Sequence, residues 1–427
     1  MDHSIKILSN PKNTLIIFIN GSMKIGGIET YIYKLAKYVI HNKAFVMLIL
    51  HRKGVVDSLY DDVFNSDFSY IQRGNIKLEE VRERVKQWNI STIKIISFDM
   101  PSFAQGEKIK KGIKDLNIDT FIFIPHFKGE FIYLEENCCG PFKKAIQSVT
   151  QRIIRKMQNN YNILYFNQKH IDTLKDKYNI CCDIDTNYFI PSHSIEKFDF
   201  DEERCIKLWQ RKRFNIVSIS RFEFPHKGYL IGLIGVYRKL KDKYPFITLT
   251  IGGYGPDQHV LENEILKLPE EIRKDVKLIG KVAPQKMKDF FDDANVNVSV
   301  AGCYLLGVKN GTLSIPARHY SYDCEVYGLS PEANEFAVSE KTGQNLYDLL
   351  EVVLNMPKDL YVKYCKESYE SRNTMLEGSR NNIFNLTNKR ASHSLSVINI
   401  VFIDFISILK KIKLKLKLIK GNSLSNL

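Results

Sequence analysis

The feature that most constrains this sequence is an alternation of segments that occurs twice. Residues 14–19 (TLIIFI) form a short apolar, β-branched run, the composition of a strand buried on both faces. Residues 28–41 follow, with Ile28, Tyr31, Ile32, Leu35, Ala36 and Val39 at helical spacing. Runs at 44–50, 93–98 and 120–124 are again strand-like. Strand, helix and strand in succession predict a parallel sheet with helices on both faces. A polar, charged stretch over 191–212 interrupts the pattern, which then restarts. Residues 214–220, 246–251, 276–279 and 296–300 read as strands, and 228–242 and 284–293 as helices. A mostly helical region covers 343–390. The expected fold is α/β, with two doubly wound domains over 1–190 and 191–365. Helices and a basic amphipathic tail are expected over 366–427.

Length agrees, since 427 residues suggest two or three domains at ~100–200 residues each. Two such domains bury full cores without disulfides or metals. A 44% hydrophobic and 26% charged composition excludes a disordered, collagen-like or disulfide-scaffold chain. No apolar run reaches the roughly 18 residues of an ordinary membrane-spanning helix. The opening Met1-Asp2-His3-Ser4 is not a secretory signal, so a cytoplasmic location is expected. The eight cysteines include no Cys-x-x-Cys pair, and no zinc site is expected. The net charge of +14 is uneven: six lysines lie between 410 and 420, with no acid from 405 onward. Without them about +8 remains. No nucleic-acid-binding signature is present, so nucleic acid is not an expected partner.

Three loops carry candidate chemistry. Gly21-Ser22-Met23-Lys24-Ile25-Gly26-Gly27 lies between the first strand and first helix. Its glycines permit close backbone approach and its helix start offers N–H groups to an anion. It is neither Gly-x-Gly-x-x-Gly nor a Walker loop, which argues against a nicotinamide or ATP site, and a ligandless turn fits it too. Ser220-Arg221-Phe222-Glu223-Phe224-Pro225-His226-Lys227-Gly228 opens the second module. Arg221 and Lys227 project from the carboxyl end of a strand, where two cations suit a diphosphate. Solvated loop charges are the alternative. Gly252-Gly253-Tyr254-Gly255-Pro256 ends the next strand and suits a nucleotide base or sugar.

These segments in this order resemble the family-4 retaining glycosyltransferases. The resemblance rests on Gly26-Gly27-Ile28-Glu29-Thr30, Asp183–Pro191, Ser220-Arg221…Lys227-Gly228, Tyr244-Pro245…Gly252-Gly253-Tyr254-Gly255-Pro256 and Leu278-Ile279-Gly280-Lys281-Val282…Asp293-Ala294-Asn295-Val296. It spans roughly residues 14–300. It implies two facing Rossmann-like domains (the GT-B architecture) and a nucleoside-diphosphate sugar held mainly by the second domain. Arg221 and Lys227 would hold the diphosphate and stabilise the charge on the leaving group. Gly26, Gly27, Gly253, Tyr254 and Gly255 would contact the donor. His126 would lie near the donor sugar, and Asp99, at another strand end, would face the acceptor. No cofactor beyond the donor co-substrate is implied. Asp183-x-Asp185 looks like the metal motif of the other glycosyltransferase fold but sits in the linker, so no metal is expected.

One stretch departs from the family, which carries two glutamates eight positions apart after the strand matching 296–300. An ungapped register places Tyr304 and Thr312 there. A second register matches Gly311…Ser314-Ile315-Pro316 to a later family segment, and it too supplies no carboxylate. The nearest acids lie in Arg318-His319-Tyr320-Ser321-Tyr322-Asp323-Cys324-Glu325. Glu325 is therefore a candidate for hydroxyl recognition, with Arg318 or His319 adding a phosphate contact; an exposed, ordinary loop is the alternative.

The last segment joins apolar residues 396–409 to Lys410–Lys420, where Lys alternates with Ile or Leu. Such a segment suits an anionic membrane surface. The expectation is a cytoplasmic glycosyltransferase, peripheral at the inner membrane face. It would use a saccharide acceptor, lipid-linked or free, in cell-surface polysaccharide assembly. A non-catalytic glycosyltransferase-like subunit and a nucleotide-sugar epimerase are the rival readings.

Overall fold

A computed structural model describes residues 11–24, 26–52, 54–123, 142–165, 168–181, 200–333, 343–377, 383–388 and 393–408. The chain divides into two compact units, Met1–Ser192 with Ser379–Leu427, and His193–Gly378.

The first unit holds strands β1 (Thr14–Asn20), β2 (Phe45–Leu50), β3 (Ser69–Arg73), β4 (Thr92–Ser97), β5 (Asn117–Phe123) and β6 (Ile163–Leu164). They form one parallel sheet in the order β3-β2-β1-β4-β5-β6. Its helices are α1 (Gly27–His41), α2 (Asp61–Phe64), α3 (Leu78–Gln87), α4 (Met100–Gly112), α5 (Phe142–Asn159) and α6 (Gln168–Tyr178). Every residue of β1 is buried, as a central strand covered on both faces requires. The edge strand β3, Ser-Tyr-Ile-Gln-Arg, is only partly buried and carries no apolar run, so hydrophobicity does not reveal it.

The second unit holds β7 (Phe214–Arg221), β8 (Ile247–Tyr254), β9 (Val276–Gly280), β10 (Val296–Ser299) and β11 (Leu313–Pro316), in the parallel order β11-β10-β7-β8-β9. A small antiparallel pair, Glu325–Val326 with Gln344–Asn345, stands apart. Its helices are α7 (Glu202–Gln210), α8 (Tyr229–Lys243), α9 (Gln258–Leu266), α10 (Glu270–Arg273), α11 (Met287–Asp292), α12 (Ala301–Lys309), α13 (Leu346–Leu354) and α14 (Lys358–Glu377). The core between sheet and helices includes Ile216, Leu249, Leu233, Tyr237, Val298 and Leu350. Both sheets are doubly wound, as expected.

Residues 383–408 belong to the first unit. Thr120 N–H donates to Asn388 Oδ1 at 2.8 Å, and buried Lys94 donates to the Leu386 carbonyl with Asp119 3.8 Å away. Residues 397–408 form a further helix, α15, whose Ile400, Ile403 and Ile406 enter a core with Phe103 of α4 and Ile154 of α5. No helix among the described residues is long and apolar enough to cross a membrane.

Candidate functional site

The second sheet changes direction at β7, with β8 and β9 on one side and β10 and β11 on the other. In an open α/β sheet such a switch point leaves a crevice at the carboxyl ends of the strands. Arg221 is the last residue of β7 and is exposed, its Nε 3.5 Å from Glu223 Oε2. The loop after it is tied down by backbone hydrogen bonds. Phe222 is buried and donates to the Tyr254 carbonyl at 3.0 Å. Phe224 N–H donates to Asp257 Oδ2 at 2.7 Å, and Gly228 N–H to the Pro225 carbonyl at 3.0 Å.

This loop carries Lys227, half-buried, just before α8. Its ammonium makes no hydrogen bond or ion pair among the described residues. Burial lowers its pKa below the ordinary lysine value, an effect that Cys303 and Glu223 partly offset. Cys303 is half-buried in the first turn of α12, after Ala301, whose φ of +50° turns the chain sharply out of β10.

Gly253 and Gly255 have a packing reason. A Cβ on Gly253, at φ +135°, would lie 1.8 Å from the Ser220 carbonyl oxygen, and one on Gly255 2.0 Å from that of Phe222. They let the end of β8 lie against the end of β7, with Arg221 beside Tyr254 in the ladder. The half-exposed Tyr254 ring has Lys281 Nζ 5.4 Å from its centre.

Arg318, His319 and Glu325 sit on a narrow hairpin closed by a bridge between Ala317 and Val326. Arg318 Nη1 lies 2.6 Å from Glu325 Oε2, and Arg318 N–H donates to the Glu325 carbonyl at 2.9 Å. The hairpin folds onto the Lys227 loop. Tyr320 N–H donates to the His226 carbonyl at 3.2 Å, and the His226 and His319 rings stack at 4.8 Å. A Cβ on Gly228 would meet the Tyr322 ring at 3.1 Å. The structure thus brings His319 against the loop that carries Lys227, while Arg318 and Glu325 pair with each other on the hairpin. His226, Tyr320 and Tyr322 lie in the candidate loops but gain no role from the sequence alone, and Cys303 is not singled out by it. Gly228 and Gly232, four apart at the start of α8, were the available signal: a Cβ on Gly232 would lie 2.4 Å from the Tyr322 carbonyl oxygen.

The positions that the ungapped register assigns to the family glutamates are interior. Tyr304 is fully buried and donates to the Ala333 carbonyl at 2.9 Å. Thr312 is buried, and its Oγ1 accepts from Arg204 Nη2 at 3.0 Å. Neither side chain reaches the surface of the switch point.

In the first unit the switch point lies between β1 and β4. Gly26 is the extended residue before α1, with the Glu29 carboxylate folded over it, while Gly27 opens onto empty space. Asp99 caps α4, accepting from Ser102 N–H at 2.7 Å, and lies 3.6 Å from Arg52. His51 Nε2 lies 3.0 Å from Ser102 Oγ. His126, Asp183–Pro191 and Lys410–Lys420 lie outside the described residues. Among those described, no three His, Cys, Asp or Glu side chains gather as a metal-binding group.

No family model matches the sequence, and no curated protein matches it. Solved structures match in fold. HepE of Anabaena, in complex with UDP and glucose, aligns with a TM-score of 0.55 at 13% identity, covering 87% of this chain and 96% of HepE. A glycosyltransferase from Rickettsia africae aligns at 0.53 and 13% identity, covering 94% and 98%. A variant of S. aureus TarM, in complex with fondaparinux, α-GlcNAc-glycerol and UDP, aligns at 0.53 and 10% identity, covering 87% and 99%. The fold of the chain is the GT-B fold, two Rossmann-like parallel-sheet units.

Proposed function

We propose that the chain is a glycosyltransferase that moves a sugar from a nucleoside-diphosphate sugar to a saccharide hydroxyl. One observation carries this reading: a half-buried lysine ammonium, without a hydrogen-bonding partner among the described residues, follows Arg221 on the loop that leaves the switch point of a Rossmann-like sheet. A desolvated cation in that position is matched by an anion, and a diphosphate offers two phosphates to two cations. The complexes of HepE and TarM with UDP support a uridine diphosphate.

In this reading Arg221 and Lys227 bind the diphosphate before reaction. As the glycosidic bond to the phosphate oxygen breaks, negative charge grows on the leaving diphosphate, and the same two cations stabilise it. This charge compensation comes from side chains, so the reaction proceeds without a metal. The backbone at Gly253 and Gly255 and the Tyr254 ring take the nucleoside. Arg318 adds a phosphate contact, His319 lines the same surface, and Glu325 accepts hydrogen bonds from sugar hydroxyls. Retention of configuration, a lipid-linked acceptor in cell-surface polysaccharide assembly, and cytoplasmic attachment to the inner membrane face through Lys410–Lys420 complete the proposal.

The test is thermal stability against UDP-, GDP- and dTDP-sugars, for wild type and the Arg221→Ala/Lys227→Ala variant. A donor at 100 times its dissociation constant adds ~2.7 kcal/mol to wild type. One donor should do so, and the variant should not respond. The buried Tyr304 and Thr312 favour a second reading, a non-catalytic subunit. If no donor stabilises the folded wild type, that second reading replaces the first. Interconversion of a donor with its epimer in the absence of acceptor would instead support an epimerase.

A further inference from the structure

The last described helix, α15, is apolar on both sides. Its inner side packs in the first unit's core through Ile400, Ile403 and Ile406. Its outer side presents Val397, Ile398, Val401, Phe405 and Ile408, each more than half exposed, with Ile398 at 80%. A water-facing helix is ordinarily polar on its outer face, and a continuous apolar stripe of this kind marks a surface that is covered in use. The helix is held firmly in place. Asp404, its one acid, lies 2.9 Å from Lys108, and Leu395 N–H donates to Glu107 Oε2 at 3.0 Å.

The charge around this stripe identifies what covers it. The neighbouring α5 contains five lysines and arginines and no acid. A crevice of about 410 Å³ along it is lined by Arg152, Arg155 and Lys156 with Ser148, Gln151 and Asn159. This crevice adjoins the start of α15, since Asn160 Nδ2 donates to Ser394 Oγ at 3.1 Å. Beyond α15 the sequence supplies six more lysines and no acid. An apolar stripe with a basic neighbouring helix, followed in sequence by a run of lysines, matches the interface of an anionic bilayer, acyl chains beneath phosphate headgroups.

We propose that α15 is a membrane-seating helix. Its outer stripe enters the interfacial layer of an anionic phospholipid bilayer, and Arg152, Arg155 and Lys156 take headgroup phosphates. This deepens the membrane attachment proposed above by assigning it to an ordered element of the first unit. A basic tail alone would hold the protein to vesicles by charge without inserting anything; a seating helix must insert.

The probe is a set of vesicles of phosphatidylcholine alone or with 30% phosphatidylglycerol, as about a third anionic lipid suffices to give a negative surface. Wild type should co-sediment with the anionic vesicles at least tenfold more strongly, and rising salt should weaken binding. Val401→Glu/Phe405→Glu, on the exposed side, should retain the melting temperature and lose about tenfold or more in binding. Arg152→Glu/Arg155→Glu should lose a similar factor, since each cation near the surface contributes about fivefold. A Phe405→Trp variant should gain fluorescence quenching by brominated lipid over wild type. The proposal is overturned if the glutamate variant binds vesicles like wild type. It is equally overturned if the introduced indole is not quenched on bound vesicles, or if the stripe proves to hold two copies of the chain together in solution. Donor-induced thermal stabilisation, measured without vesicles, reads the donor site separately.

Discussion

At the carboxyl ends of β1 and β4 the charged groups serve the fold. Asp99 caps α4, lies 3.6 Å from Arg52, and leaves Ser102 within reach of His51. At the ends of β7 and β10 the arrangement is opposite. The backbone N–H groups there are satisfied, those of Phe222 and Gly228 by carbonyls and that of Phe224 by Asp257, and the cations are left to side-chain neighbours. Arg221 meets Glu223 at 3.5 Å, and Lys227 meets no hydrogen-bonding group among the described residues. The same topology therefore presents one switch point whose Asp99 is occupied by capping and pairing and one that leaves Lys227 without a hydrogen-bonding or ion-pairing partner among the described residues. A polar residue at a strand end becomes informative about ligands only after its capping and pairing duties are known.

The largest expected effect breaks this comparison at Lys227. Lys227→Ala removes a half-buried cation, and truncating such a partner of a bound anion typically costs 2–5 kcal/mol. Donor affinity or turnover should fall by about a hundredfold or more, with no loss of melting temperature, because the wild-type lysine bears a desolvation penalty. An unchanged donor response would show that Lys227 is only a solvated loop charge. The pH profile sharpens the point. Burial lowers this lysine's pKa, and a diphosphate favours its protonated form. Donor affinity should then decline as pH rises through that lowered value, before an ordinary lysine at 10.5 would lose its proton. In the ligand-free protein the sign is reversed. The folded state disfavours the ammonium, so the penalty on stability is full at neutral pH and fades as pH rises from the lowered value toward 10.5. Lys227→Arg, which stays charged, should flatten the affinity profile; isothermal titration across pH distinguishes the two.

The first unit predicts a smaller effect of a different kind. Asp99→Ala should cost about 1 kcal/mol through loss of the α4 cap, and Asp99→Asn should recover most of it. Thermal melting reads the cap, and acceptor turnover reads a role at the site. If Asp99→Asn restores stability but not turnover, Asp99 acts on the acceptor; if both recover, capping is its whole task.

How legible all this was in the sequence follows the same division. The central strands β1, β2, β4, β7 and β8 announce themselves because a largely buried strand is rich in apolar, β-branched residues. Short or edge strands such as β3, β6 and β11 do not, being polar or only a few residues long. Arg221 and Lys227 were visible because a strand end followed by cations and a helix is a local pattern. The contact of Tyr320 and Tyr322 with the Lys227 loop was not, since it joins segments distant in sequence through backbone approach at Gly228 and Gly232. Nor does the return of α15 to the first unit follow from its composition. An apolar segment ending in lysines reads as one membrane-facing piece until packing shows that Ile400, Ile403 and Ile406 face inward.

The smallest effect concerns Glu325, where the hairpin offers a test between structure and recognition. Glu325 and Arg318 are 2.6 Å apart and both partly exposed, so Glu325→Gln should change stability by only ~0.2–1 kcal/mol. Their shared backbone hydrogen bond, from Arg318 N–H to the Glu325 carbonyl, is untouched by the substitution, so the hairpin should keep its shape. A carboxylate that accepts from sugar hydroxyls loses charge-assisted bonds on conversion to an amide, each worth about 1.5–3 kcal/mol. Donor-sugar affinity should therefore fall by tenfold or more while affinity for the bare nucleoside diphosphate holds. If both affinities hold, Glu325 only pairs with Arg318, and sugar recognition lies elsewhere. If both fall together, Glu325 acts by steering Arg318 toward the phosphates, and the hairpin extends the cationic surface begun by Lys227.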